Sequence, residues 1–218
     1  MPSTAINAQG TILQVGTGSG SAKTITAAAI GNPTILTSSA HGLSVGDYGP
    51  IASITGTLSA LNGSNATVIA KTTNTFAIAV NGVPYDSTGL TYTSGGTFTP
   101  QTYTAVANVK TYNGFDGSAS DIDVTNLSST AKEFRLGLID NGMLSLALDL
   151  DRGDAGQLAL QAAQVGSLQK AFKLILPSGA TPTASFNGYV KKFALDGGVD
   201  NVVKLSVDIK ISGAVSWA

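Results

Sequence analysis

Few side chains in this sequence are of the types that carry out catalysis. The 218 residues include a single histidine, His41, and no cysteine. A histidine base also needs a nucleophile and an orienting carboxylate, and the only acidic residue near it in the sequence is Asp47. No two carboxylates form an acid and base couple, because the acidic residues lie in alternating strands or turns. We therefore expect a turn histidine and a protein that is not an enzyme and needs no cofactor.

Three aspartates near the centre of the chain resemble the start of a calcium loop. They are Asp149, Asp151 and Asp154, but the EF-hand spacing also requires a glycine at its sixth position and a glutamate at its twelfth. Asp154 and Leu160 occupy those positions. The tripeptide Arg152-Gly153-Asp154 spells a cell-adhesion motif, which also fits a turn from a strand into a helix. We expect no metal site and no adhesion function from these residues.

The glycines Gly16, Gly18 and Gly20 invite a phosphate-loop interpretation because Lys23 follows them. A Walker A motif needs glycine directly before the lysine, and Ala22 stands there. The dinucleotide fingerprint also needs a glycine three residues further on and a helix after it, and both are missing. We predict a flexible connector.

Composition excludes several classes of protein. Only 11% of the residues are charged, and 12 basic residues against 13 acidic ones leave no excess that would hold nucleic acid. No run reaches the roughly 20 apolar residues of a membrane helix. A surface with so little charge loses the repulsion that keeps monomers apart. We therefore expect a chain that is not inserted in a membrane and that assembles with other subunits.

The chain has two compositional zones. Residues 21–98 carry only four charges, and short β-prone runs alternate there with turn signals. Asn81-Gly82, between Thr75–Val80 and Val83–Tyr85, is the best candidate for a tight hairpin. We interpret Thr88–Thr99, which is rich in Gly, Ser and Thr, as the exit linker of a small β-barrel or sandwich.

The second zone shows longer alternation of apolar and polar residues, which is typical of strands with one buried face. The clearest case runs from Val203 to Ile211, with apolar residues at every second position. The other predicted inward-facing residues are Leu144, Leu146, Leu148, Leu150, Phe172, Leu174, Leu176, Ile122 and Val124.

One helix is predicted between these strands. Asp154 fits its N-cap, Gln157 stands three residues on as in a capping box, and Gly166 fits the C-terminal stop. The predicted packed stripe is Ala155, Leu158, Ala159, Ala162 and Val165, and the opposite face holds Gln157, Gln161 and Gln164. A solvated helix more often carries Glu and Lys pairs. The glutamine face thus predicts a contact with a neighbouring subunit, and a low-charge surface is the alternative.

Several segments in the family's order resemble the major tail tube proteins of long-tailed, siphovirus-type bacteriophages. They are Ala119–Phe134, Gly137–Gly142, Phe186–Phe193 and the closing strand Val202–Ile211. The resemblance covers Gly10–Val15 and about Tyr103–Trp217. It implies a mainly β fold, a tail-tube β-sandwich or barrel with one flanking α-helix. Six copies would form a ring, and rings would stack into a hollow tube that conducts DNA into the host during ejection.

The segment from about Thr24 to Phe98 departs from the shortest family members. Its motifs resemble a small β-module of many phage tail proteins that shares its name with a half-domain of ubiquitin-activating enzymes; without cysteine, no thioester chemistry can follow. The motifs are His41-Gly42-Leu43-x-Val45-Gly46-Asp47, Leu61-Asn62-Gly63, Thr73-Asn74-Thr75-Phe76 and Thr93-Ser94-Gly95-Gly96-Thr97. We expect a discontinuous tube domain of residues 1–22 and 99–218 and an inserted all-β domain, residues 23–98, on the tube exterior.

The resemblance also implies partners and a location. The partners are further copies of the chain, the tape measure protein, the tail terminator and tail-tip proteins, with phage DNA passing through the lumen without specific binding. The location is the virion tail, after assembly in the host bacterial cytoplasm. Ser128–Leu138 joins two alternating strands and concentrates Lys132, Glu133 and Arg135, which we predict to form an inter-ring stacking loop.

Three alternatives remain open at this stage. The chain could be the tube of a contractile tail, or another tail part such as a terminator. A carbohydrate-binding adhesin module would explain the first zone, but its Tyr85, Tyr92 and Tyr103 are too scattered to form a sugar-stacking platform.

Overall fold

The computed structural model describes residues 5–177 and 183–217. These residues form one α-helix, α1 (Ala155–Val165), and a short 3₁₀ helix, Thr57–Leu61. The strands are β1 (Ile12–Ser19), β2 (Lys23–Thr24), β3 (Ala27–Ala29), β4 (Ile35–Thr37), β5 (Tyr48–Ile54), β6 (Asn65–Lys71), β7 (Thr75–Val80), β8 (Val83–Pro84), β9 (Gly95–Phe98), β10 (Gln101–Ala105), β11 (Val109–Gly114), β12 (Ser118–Asp123), β13 (Phe134–Asp140), β14 (Met143–Asp149), β15 (Gln169–Ile175), β16 (Thr183–Asp196) and β17 (Lys204–Trp217). The prediction of a mainly β fold with one helix is confirmed. Neither helix of the described residues has the length and hydropathy of a membrane span.

The strands fall into three sheets. One sheet has seven strands, in the order β10-β1-β15-β16-β17-β14-β11, and consists of β1 and strands that follow residue 98. Strands β12 and β13 pair only with each other. Strands β2 to β9 form the third sheet, in the order β2-β9-β5-β6-β7-β4-β3, with β8 beside β7. The described chain also divides into two compact units. The first falls within Met1–Val106, Ala171–Phe186 and Ala214–Ala218, and the second within Ala107–Lys170 and Asn187–Gly213.

The third sheet lies wholly in the segment predicted as an insert, residues 23–98. Its first and last strands pair, with Lys23 opposite Phe98, so the chain enters and leaves the sheet at neighbouring positions. Its core consists of buried aliphatic and aromatic side chains, among them Leu36, Ile51, Leu58, Leu61, Phe76, Ile78 and Phe98. The division into a tube domain and an inserted domain stays a prediction.

The predicted hairpin at Asn81-Gly82 is confirmed. Val80 pairs with Val83 across a two-residue loop, and both loop residues have positive φ, 53° and 80°. Asparagine and glycine tolerate that conformation, and it matches the twist of the strands they join.

Two expectations about glycine-rich segments are wrong. The connector predicted at Gly16–Gly20 continues β1 as far as Ser19, and Gly16 pairs with Tyr103. The predicted exit linker contains β9, whose Phe98 is fully buried. Glycine is required in β9 because a Cβ at Gly96 would lie 2.7 Å from Cγ1 of Ile54. Glycine in β9 allows the strands to pack closely. Composition alone does not distinguish such a glycine-rich strand from a glycine-rich linker.

The alternation in the second zone is mostly confirmed. The apolar residues of β14 and β17 are buried, namely Leu144, Leu146, Leu148, Leu205, Val207, Ile209 and Ile211. The register places Leu146 opposite Val207 and Leu148 opposite Leu205. In β15, Phe172 and Leu174 are also buried. The closing strand extends beyond the predicted Ile211 to Trp217.

Candidate assembly surfaces

His41 lies in the connection between β4 and β5 and packs against the third sheet. Its ring is buried and makes an edge contact with Phe76, with 5.3 Å between the ring centres. Nδ1 accepts a hydrogen bond from the Leu43 amide at 3.0 Å, and Nε2 lies 3.2 Å from the Thr75 carbonyl oxygen. With Nδ1 accepting, Nε2 carries the proton and donates it to that carbonyl. Both nitrogens are occupied, so the residue is not placed to act as a base.

The aspartates near α1 are used in local bonding. Oδ1 of Asp154 caps the helix by accepting the Gln157 amide at 2.8 Å. Asp149 lies 2.9 Å from the Lys110 ammonium. The predicted helix cap is confirmed. The carboxylate of Asp154, the last residue of Arg152-Gly153-Asp154, is therefore hydrogen-bonded to the first turn of α1. No cluster of three possible metal ligands lies within the described part of the chain.

Gln157 is buried, with 2% of its surface exposed. Its Oε1 accepts the Asp151 amide at 2.9 Å, so the reciprocal bond of a capping box goes to Asp151 instead of to the N-cap amide. Its Nε2 donates to the carbonyl oxygens of Ala107 at 3.1 Å and Asp149 at 3.0 Å. The side chain therefore fixes α1 to the end of β14.

The faces of α1 are the reverse of the predicted ones. The predicted packed stripe is largely exposed, with Leu158 at 44% and Val165 at 77%. Gln161 and Gln164 are half-buried. The buried residues of the helix are Gly156, Gln157, Leu160 and Ala163. The reason is that Gln157 satisfies three backbone groups when it is inside, which turns Leu160 and Ala163 inward with it. Gln157 is thus not available for the predicted subunit contact.

Strands β12 and β13 form a two-stranded ribbon whose apolar side chains are exposed. The prediction that Ile122 and Val124 are packed inside the chain is wrong, since they are 50% and 37% exposed. On β13, Phe134, Leu136 and Leu138 are 54%, 74% and 94% exposed. A ribbon of two strands is only marginally stable by itself. A surface of this kind is typical of an interaction site.

The predicted stacking loop is shorter than expected. β13 begins at Phe134, so Arg135 lies in the strand, opposite Ile122. Lys132 and Glu133 lie in the loop at the tip of the ribbon, and all three charged side chains are exposed. The four ion pairs within the described residues involve none of them.

The root of the ribbon is held by two carboxylates. Asp116 accepts the Met143 amide at 3.0 Å, and both oxygens of Asp140 lie 2.6 Å from the Lys210 ammonium. Hydrogen bonds from Lys210 and from the Gly142 amide lower the pKa of Asp140 below its usual value. Gly142 has a φ of 73°, and a Cβ there would overlap the Asp116 carboxylate. Asp116 just before β12 and Asp140 at the end of β13 thus fix the base of the ribbon.

The segment of residues 23–98 is bonded to β15 within the first unit. The Lys173 ammonium lies 3.2 Å from Asp47 and 4.4 Å from the centre of the Tyr103 ring. Burial raises the pKa of the Tyr103 hydroxyl, and the nearby Asp47 and Tyr48 raise it further. A half-buried tyrosine beside a carboxylate favours its neutral form because the anion would be both desolvated and repelled.

A family profile matches most of the chain. The profile of the lambda phage tail tube protein family, TTP, matches residues 83–218, which is more than half of the 218-residue chain. The chain belongs to this family. The resemblance to siphovirus-type major tail tube proteins is thus confirmed, and the tail tube family is one of structural virion proteins and not of enzymes.

Three solved structures are similar to about half of this chain. The SPP1 tail tube is 15% identical, over 53% of this chain and 67% of that one, with a TM-score of 0.45. The tail of the empty GTA particle is 18% identical, over 53% and 86%, with a TM-score of 0.45. The virion of the native gene transfer agent particle is 16% identical, over 53% and 88%, with a TM-score of 0.46. No curated protein sequence matches the chain.

Proposed function

We propose that this tail tube protein assembles into hexameric rings, that the rings stack into the tail tube, and that the tube conducts DNA into the host during ejection. The observation that carries this proposal is the exposed apolar surface of the β12–β13 ribbon. Leu138, at 94% exposed, would be among the least favourable residues on a solitary monomer. Burial between copies would remove that surface from water, at about 25 cal/mol per Å².

Open sheet edges support the same proposal. β10 and β11 are the first and last strands in the order of the seven-stranded sheet. Unpaired strand edges are templates for pairing with another chain, and natural proteins cover or close them. A ring of identical subunits would close both edges by one repeated contact.

Charge pairing supports passage of DNA without retention. Lysines on three strands of the large sheet each lie near an aspartate of the same unit. The pairs are Lys110 with Asp149 at 2.9 Å, Lys192 with Asp208 at 4.0 Å and Lys210 with Asp140 at 2.6 Å. Lysines that already have a carboxylate partner are less able to bind phosphates and release counterions. A tube wall with paired lysines would therefore let DNA slide through without binding its phosphates.

The partners of such a tube would be further copies of the chain, a tape measure protein in the lumen, a tail terminator at one end and tail-tip proteins at the other. Assembly would take place in the host bacterial cytoplasm, and the finished protein would reside in the virion tail. This proposal also includes two contacts between copies. One is the stacking of rings through Lys132, Glu133 and Arg135, and the other is a subunit contact at Gln161 and Gln164.

Direct imaging tests the proposal. The purified protein is observed by mass photometry and negative-stain microscopy over a range of concentrations. We expect six-subunit rings at low concentration and tubes at high concentration. The control is Leu138→Asp, which leaves the large sheet unchanged and places a charge on the ribbon. A wild-type protein that stays monomeric even in the presence of tail-tip proteins would contradict the proposal.

We further propose that residues 23–98 form a separate domain on the tube exterior. The neighbouring positions of Lys23 and Phe98 would allow Ala22 to be joined to Thr99 through a short glycine linker. Removing Asp47 in this way would leave Lys173 without its carboxylate, so the deletion is combined with Lys173→Met. We expect this variant to fold and form tubes. A folded deletion variant that forms no tubes would show that the insert is part of the wall.

A further inference from the structure

Two exposed apolar rows lie in the second unit. The ribbon row consists of Phe134, Leu136 and Ile139, which share one face of β13. Phe134 and Leu136 alternate with Arg135, and Ile139 follows because the register shifts by one residue at Gly137–Leu138, so that Leu136 pairs with Asp121 and Ile139 with Ala119. The helix row consists of Leu158, Ala162 and Val165, which share one face of α1 at helical spacing. The members of both rows are exposed in the single chain, so neither row covers the other within one copy.

The ribbon row is long enough to cover the whole helix row. The ribbon row extends up to about 17 Å from Phe134 to Ile139, at about 3.4 Å per residue. The helix row extends about 10 Å from Leu158 to Val165, at about 1.5 Å per residue. Ala162 has the smallest side chain of the helix row and leaves a notch between Leu158 and Val165. A leucine from the ribbon row fits into such a notch as a ridge fits a groove.

The charges around the rows are complementary. Asp121 and Asp123 lie opposite members of the ribbon row and give it an acidic border. The helix has no charged residue over Ala155–Val165. The exposed Arg152 precedes it, and Lys170 follows it. Acidic borders on one row and basic ends on the other favour one orientation of docking.

We propose that the ribbon row of one copy packs on the helix row of a second copy. The inference rests on the proposed self-assembly and identifies the surfaces that carry it. Leu136 enters the notch at Ala162, and the contact buries the apolar groups that a lone chain exposes. The same contact covers Leu158, which the hydrogen bonds of Gln157 leave on the outer face of α1.

The absence of cysteine from the sequence makes the contact directly testable. Leu136→Cys and Ala162→Cys are made in separate proteins, one carrying a size tag, and the two are mixed under assembly conditions and oxidised. A disulfide needs Cα atoms within about 7 Å. We expect the tagged–untagged heterodimer to be the main cross-linked product. The control pairs Ala162→Cys with Val83→Cys, an exposed residue of the insert hairpin, and should give only the background of unassembled protein.

A charge exchange gives a second readout. Leu136→Asp should abolish assembly while the folded monomer persists, and adding Ala162→Lys should restore part of it. Val83→Asp, the matched control, should assemble as the wild type does. Tubes that form without the heterodimer cross-link, or that form normally with Leu136→Asp, would overturn this inference and leave the proposed function standing. A wild-type protein that forms neither rings nor tubes would defeat both.

Discussion

The ammonium group of Lys173 lies 3.2 Å from the carboxylate of Asp47, although the two residues are 126 positions apart in the chain. Their side chains are only 13% and 22% exposed. Asp47 lies in the segment of residues 23–98, just before β5, and Lys173 lies in β15. The pair therefore connects that segment with a strand of the region that the family profile matches.

Breaking this pair from one side should destabilise the first unit. Asp47→Ala leaves a largely buried ammonium without a partner, which we expect to lower the free energy of unfolding by about 1–3 kcal/mol. The combined Asp47→Ala and Lys173→Met variant should lose less, because no uncompensated charge remains. Denaturant unfolding of the two single variants and the double variant measures the coupling. A coupling energy of zero would show that the contact has no energetic role.

Tyr103 should make the protein sensitive to alkali. Its pKa is raised in the folded state, so above pH 10, the ordinary value, the unfolded chain loses a proton that the folded chain keeps. Stability is therefore full below that pH and decreases above it, by up to about 1.4 kcal/mol for each pH unit. Tyr103→Phe should reduce this alkaline loss in thermal unfolding. The matched control is Tyr189→Phe, since Tyr189 is exposed, and an identical pH profile for all three proteins would contradict the assignment.

Elements with one unambiguous apolar face were predictable from the sequence. β17 alternates Leu205, Val207 and Ile209 with polar residues, and only one orientation buries them. The family resemblance rests on a different signal, the order of several segments such as Ala119–Phe134 and Val202–Ile211 along the chain. The positions of Gly96 and Phe98 in a packed strand, β9, were not predictable from the sequence. A glycine that is needed for close packing cannot be distinguished there from a glycine of a linker.

The helix shows a different limit of sequence reasoning. Both faces of α1 carry alanine or leucine, so periodicity alone does not select the buried one. The choice depends on the backbone groups of Ala107, Asp149 and Asp151, which Gln157 satisfies only in the folded structure. The exposed ribbon shows a related limit. Its alternating pattern is that of a buried face, but residues 5–177 and 183–217 of a single chain leave it uncovered.

Gln157 should therefore matter for stability in a way that Gln164 does not. Gln157→Ala removes three hydrogen bonds and leaves a backbone amide and two carbonyl groups without that partner, which we expect to cost about 2–4 kcal/mol. Gln164→Ala, the matched control on the same helix, should cost less than about 0.5 kcal/mol. Thermal unfolding of the two variants measures the difference. Equal losses would contradict the buried position of Gln157.

The charged tip of the ribbon should control stacking of rings. Lys132 and Glu133 are exposed and make no ion pair within the described chain, so both signs are available to a surface on the next ring. Paired charges at such a contact fix register more than they add affinity. They also lie near solvent, where salt screens them over about 8–10 Å.

Reversing these charges one at a time should shorten the tubes while the rings stay intact. Lys132→Glu and Glu133→Lys each place like charges across the contact, and the double exchange should restore part of the length if the two residues pair with each other across rings. Raising the salt concentration should shorten wild-type tubes in the same way. Tube length is measured by negative-stain microscopy, with Lys71→Glu, an exposed lysine of the insert, as the matched control. Unchanged length in both single variants at low salt would remove the tip of the ribbon from the stacking mechanism.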